Sequence, residues 1–116
     1  MNTITALTPA GALAIEWREQ DDVCLLTIIS GGIIGTAWID LMQIGFLLQP
    51  GSDYSERFGS RDEKDVRLSA CDVGADFTRY VMLATQGSIA SIELSPFDVA
   101  RIRAWVKVWE GVRDPR

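Results

Sequence analysis

Apolar residues fall along this chain in short runs separated by turn residues, and only the last segment repeats them at helical spacing. Residues 1–10 are small and polar with Pro9, and read as an N-terminal arm. After Gly11, residues 12–18 begin the first extended run, and Asp21 and Asp22 supply a turn. Val23–Ser30 (VCLLTIIS) is rich in β-branched and aliphatic residues without clean alternation, the pattern of a strand covered on both faces or lying at an interface. Gly31 and Gly32 break that run, and residues 33–41 read as the next strand, with Trp38 and Asp40 on one side. The continuation 42–49 fits a helical stripe through positions 41, 44 and 48, but its β-rich flank and Gly45 favour a long or bulged strand.

Residues 50–65 change character: they are charged, carry Pro50, Gly51 and Gly59, and offer only Tyr54 and Phe58 as apolar anchors, so they predict a mobile charged loop. A hairpin follows. Residues 66–71 alternate, 72–76 turn through Gly74, and 77–84 return, after which Gln86 and Gly87 lead into a further alternating strand at 88–94. Ser95 as N-cap, Pro96 at the first helical position and Asp98 in the first turn start a C-terminal helix over 95–112. Its apolar residues Val99, Ile102, Trp105, Val106, Trp109 and Val112 recur at three- and four-residue spacing, so one broad face requires cover. These elements predict a single α+β domain over residues 1–116: a mainly antiparallel sheet of about five to six strands followed by one C-terminal amphipathic α-helix. No internal repeat is visible in the sequence.

Composition narrows the chemistry. The chain of 116 residues contains no histidine, which removes the commonest general acid/base and the orienting member of Ser and Cys triads. With two cysteines and no histidine, the usual nitrogen and sulfur zinc sites are also out of reach. Cys24 and Cys71 sit in apolar runs and read as small hydrophobes in a reducing compartment, with a disulfide between them left open. The Gly31-Gly32-Ile33-Ile34-Gly35 cluster lacks the spacing of a phosphate cradle and reads as a turn, as do Asp72 and Asp76 around Gly74. The expectation is a protein that is not an enzyme and has no cofactor.

The uncharged stretch from 23 to 39 approaches the length of a membrane span, but its three glycines and flanking aspartates favour two buried strands. No basic residue precedes Arg18, so a secretory leader is not expected and the chain reads as cytoplasmic, with no membrane partner. The net charge of −5 is uneven. Before residue 55 a lone Arg18 faces six acidic residues, whereas ten basic and ten acidic residues follow, a balance that disfavours a duplex-DNA partner.

Trp38, Asp40, Tyr54 and Phe58 are the candidate partner-binding residues: aromatics near a strand end and in the charged segment, with the only charge between residues 23 and 52. Asp40 is expected either to point to solvent from a strand or to pair with Arg67 or Arg79. The main reading is therefore a non-catalytic interaction module, a homodimer that binds a protein partner in an inhibitor, immunity-like or adaptor role. A small-molecule-binding domain is a further alternative.

Residues 87–97, with the step Ile92-Glu93-Leu94-Ser95-Pro96-Phe97, resemble the closing strand and helix start of the transcriptional positive-cofactor-four family and its Whirly relatives. The resemblance covers about the last fifty residues. It implies a curved antiparallel sheet followed by one helix, helices that pair in a dimer, and sheets that grip single-stranded DNA. The strand residues that are basic in that family fall around 84–88, where this chain has none. Arg67, Arg79 and Tyr80 are what remains for nucleic-acid binding under this alternative.

Overall fold

A computed structural model of the chain describes residues 2–113. Ten elements follow one another: β1 (Thr3–Thr8), β2 (Gly11–Arg18), β3 (Val23–Ser30), β4 (Ile33–Ile39), α1 (Leu41–Leu47), β5 (Tyr54–Ser60), β6 (Glu63–Val73), β7 (Thr78–Thr85), β8 (Ser88–Leu94) and α2 (Pro96–Arg113). The strands form two four-stranded antiparallel meanders, β1-β2-β3-β4 and β5-β6-β7-β8. Each meander runs directly into a helix, so the α+β class holds with more strands than the pattern predicts and with a second helix.

Period-two burial explains the layers. Leu13, Ile15 and Trp17 on β2 and Cys24, Leu26 and Ile28 on β3 point inward, as do Val66, Leu68 and Ala70 on β6 and Val81 and Leu83 on β7. Both inner faces join one apolar core with Leu41, Ile44 and Leu47 of α1 and Val99, Ile102 and Val106 of α2. Each such aliphatic side chain contributes about 1.5–3 kcal/mol of transfer free energy when fully buried. Gly35 lets the two sheets approach closely: a Cβ there would lie 3.2 Å from the Ala90 Cβ and 3.3 Å from a Leu83 methyl.

The uncharged stretch resolves into β3 and β4 around Gly31 and Gly32, whose φ values of 59° and 81° give the left-handed turn that glycine adopts without steric cost. Among the described residues no helix is long and apolar enough to cross a membrane.

Three local expectations are corrected. Residues 3–8, read as an arm, form β1, which pairs along its whole length with β2 and buries Ile4 and Ala6. Residues 42–49, favoured as strand, belong largely to α1. The 50–65 segment, read as a mobile loop, contains β5 and the start of β6. There Tyr54, Glu56 and Phe58 face inward at alternate positions, and a register shift lies between Phe58 and Ser60.

α2 starts as its cap residues dictate, with the Asp98 amide donating to the Ser95 hydroxyl at 3.2 Å. Trp105 and Trp109 are half-buried and Val112 is exposed, so the covered stripe is narrower than the spacing suggests. The Trp109 ring lies 6.1 Å from that of Trp17 and 6.3 Å from that of Trp105, which fastens the helix against the first sheet. On the opposite side of α2, Phe97 and Val108 stand exposed.

Candidate functional site

The site grows from the end of β4. Asp40 leaves the strand with extended backbone and caps α1: its carboxylate accepts from the Gln43 amide at 2.7 Å while the Gln43 side chain accepts from the Asp40 amide at 2.9 Å. This reciprocal capping box satisfies two orphan donors of the first turn. Asp40 therefore neither lies on a strand face nor pairs with Arg67 or Arg79. The Gln43 side-chain nitrogen then donates to Glu56 Oε1 at 3.1 Å, tying α1 to β5. The Tyr54 hydroxyl donates to that same oxygen, and the Tyr54 ring stacks on Phe46 with centroids 6.1 Å apart. Burial first, and then the hydrogen bond to Glu56, raise the Tyr54 pKa, so the phenol stays a donor.

Trp38 completes the wall. Its backbone amide donates to the Ser60 hydroxyl at 2.9 Å, joining the edge of β4 to β5, and its indole nitrogen donates to Asp62 at 2.9 Å. The Arg61 and Arg18 guanidinium carbons lie 4.4 and 5.2 Å from its ring centroid. Trp38, Asp40 and Phe58 line one groove of about 420 Å³ together with Met42, Phe46 and Glu56. Tyr54 stands behind that lining and holds Glu56. The four candidate partner-binding residues, dispersed over twenty-one positions of sequence, thus surround α1.

The nucleic-acid set is not brought together. Arg79, expected as a surface contact, is only 1% exposed and serves as an internal clamp. Its Nε donates to the Leu47 carbonyl at 2.9 Å and its Nη1 to Asp72 at 3.0 Å, while the other Asp72 oxygen accepts from the Gly51 amide at 2.7 Å. The clamp satisfies a helix-end carbonyl of α1 and fixes the chain entering β5. Asp72 accordingly serves this clamp rather than a local turn, and the Gly51 amide, followed by Arg79, holds its carboxyl below the ordinary range. Arg67 is exposed on the outer face of the second sheet, paired in register with Ala84. Tyr80 faces the same side beside Cys71, about 13 Å further along the strands.

Family models, curated proteins and solved structures were compared with the chain, and none matches. The site is read from its own chemistry. Cys24 and Cys71 are free thiols in different sheets. Burial, and then Asp40 and Asp22, push Cys24 up to about 12, which keeps it a protonated core residue rather than a nucleophile. Among the described residues no cluster of three or more His, Cys, Asp or Glu side chains is arranged to hold a metal ion.

Met42, Gln43, Phe46 and Glu56 are functional candidates that residue-by-residue inspection missed. Their signal was present as Asp40-Leu41-Met42-Gln43, an N-cap aspartate with glutamine three residues on, which starts a helix and sets Met42 and Phe46 one turn apart on its exposed side.

Proposed function

We propose that this chain is a non-catalytic interaction module that pairs with a second copy of itself and presents the groove beside α1 to a protein partner. The outer face of the first sheet carries this reading. Leu7, Ala12, Ile29 and Ile34 are consecutive register partners and form one apolar row across all four strands. Leu7 and Ile34 are 77% and 63% exposed. The next row, Thr5, Ala14, Thr27 and Thr36, is uncharged as well. Glu16 and Arg18 lie further along the same face and pair with one another at 2.8 Å, and Arg101 reaches its edge at the Thr5 carbonyl. On a molecule of net charge −5, two copies meet without like-charge repulsion only where charge is missing, and this face is such a place.

Sedimentation equilibrium tests the pairing. A concentration-dependent dimer is expected for the native chain, with a monomer after Ile34→Lys, which places a charge at the β4 end of the row. A native chain that stays monomeric at high concentration removes this reading.

One observation favours the single-stranded nucleic-acid alternative: each antiparallel four-strand meander is followed by a helix, the order of elements that the positive-cofactor-four resemblance implies. The burial of Arg79 and the separation of Arg67 from Tyr80 weigh against it, because backbone-tracking contacts need exposed cations in one groove. Salt-sensitive oligonucleotide binding that falls with Arg67→Ala supports this alternative, and no binding at low salt excludes it.

A further inference from the structure

The groove between β4, α1 and β5 carries two carboxylates that no ion pair among the described residues engages. Its two carboxylates, Asp40 and Glu56, take part in no ion pair among the described residues, although Asp21, Asp22, Asp65, Asp72 and Asp98 all do. Their hydrogen bonds leave acceptor capacity over. Both bonds to Glu56 fall on Oε1, and the Asp40 cap uses Oδ1, so Oε2 and Oδ2 have no hydrogen-bond partner among the described residues. None of the residues that line the groove is basic. The walls between these carboxylates are Trp38, Phe46, Phe58 and Met42, and Met42 and Phe46 are 60% and 52% exposed.

Anionic oxygens set among aromatic faces suit a planar cation. A guanidinium stacks on a ring while its fork of N–H donors meets carboxylate oxygens, a combination that an ammonium point charge cannot match. The chain displays the same chemistry at the rim, where Arg18 and Arg61 lie over the Trp38 ring and Arg61 also reaches Asp21 at 3.8 Å.

We infer that the groove beside α1 docks an arginine side chain of a basic segment in a partner protein, with the guanidinium held between the Phe46 and Phe58 rings and the Glu56 and Asp40 carboxylates. This inference rests on the interaction-module reading and names the chemistry of its partner. The acidic balance of the chain would draw such a segment in, so the association should weaken as salt rises.

The test uses the full chain, isotope-labelled, titrated with a short Gly/Ser peptide that carries a single arginine. The control peptide has citrulline in its place, which keeps the shape and removes the charge. Saturable shifts of the Trp38 indole and of the Phe46 and Phe58 rings are expected, with binding at least tenfold weaker for citrulline. Glu56→Gln, which retains an acceptor for Tyr54, should weaken arginine binding at least fivefold, whereas Glu93→Gln on the outer edge of the second sheet should leave it unchanged. Equal binding of both peptides, shifts that map elsewhere, or no shift at millimolar peptide would overturn the assignment. Binding of free tetramethylammonium as tightly as the arginine peptide would also overturn it, by making the groove a small-cation site. A chain that dimerises but ignores arginine loses only this inference. One that binds arginine as a monomer keeps the groove and loses the pairing.

Discussion

The molecule is built twice from the same plan, a four-strand meander that ends in a helix, and the two units differ most where folding asks least of them. Their inner faces are alike: Leu13, Ile15 and Leu26 in the first and Leu68, Val81 and Leu83 in the second fill one shared core. Their outer faces diverge. The first sheet shows Leu7, Ile29 and Ile34 with threonines between, whereas the second shows Arg57, Arg67 and Glu93. Their helices diverge too, seven residues in α1 against eighteen in α2. An inner face must be apolar for the sheets to pack, so its composition reports folding. An outer face is free of that demand, so the uncharged rows on the first sheet are not explained by its folding, and they are what the proposed pairing rests on.

The clamp between the units is the most severe place to break this comparison. Arg79→Leu leaves the Leu47 carbonyl and the Asp72 carboxylate without their partner and should cost about 3–5 kcal/mol. Urea denaturation followed by tryptophan fluorescence and by circular dichroism measures the loss. Coincident curves keep the two units as one cooperative body, and separated curves divide them. Truncating Ile102, fully buried in α2, to Ala should cost about 3 kcal/mol in the same assay and lower the midpoint without changing its slope. A loss below about 1 kcal/mol would mean that α2 adds little to the shared core.

Smaller effects sharpen the contrast between the helices. Asp40→Ala removes the cap of α1 and should cost about 1 kcal/mol, with Asp40→Asn recovering most of it. Acidification is the gentlest probe. The Asp72 carboxyl titrates below its ordinary value in the folded chain, so its contribution is complete above about pH 4 and fades as pH falls through the folded value. Melting temperatures between pH 6 and pH 2.5 should therefore decline more steeply in the native chain than in Asp72→Asn.

Particular residues show why some of this was legible in sequence. Ser95, Pro96 and Asp98 announce α2 because a cap acts through neighbours a few positions away. Gly31 and Gly32 announce the β3–β4 turn for the same reason. Asp40 and Gln43 hold equally local information, obscured by the β-rich run before them. β5 was hidden because Glu56 occupies an inward position between Tyr54 and Phe58, and that inward carboxylate makes sense only with Gln43 reaching across to it. β1 was hidden because only Ile4 and Ala6 turn inward, and its identity as a strand comes from β2.

By itself, the order of residues determined the class, the turns, the closing helix and the absence of imidazole chemistry, all of which depend on side-chain type and on spacing within about one turn or one strand. Tertiary structure alone decided that Arg79 is an internal clamp thirty-two residues from its carbonyl partner, and that Asp40, Glu56 and three aromatic rings share a groove. Such pairings depend on how two sheets stack and where a short helix is pinned between them. That choice belongs to the core as a whole, and no local run of residues encodes it.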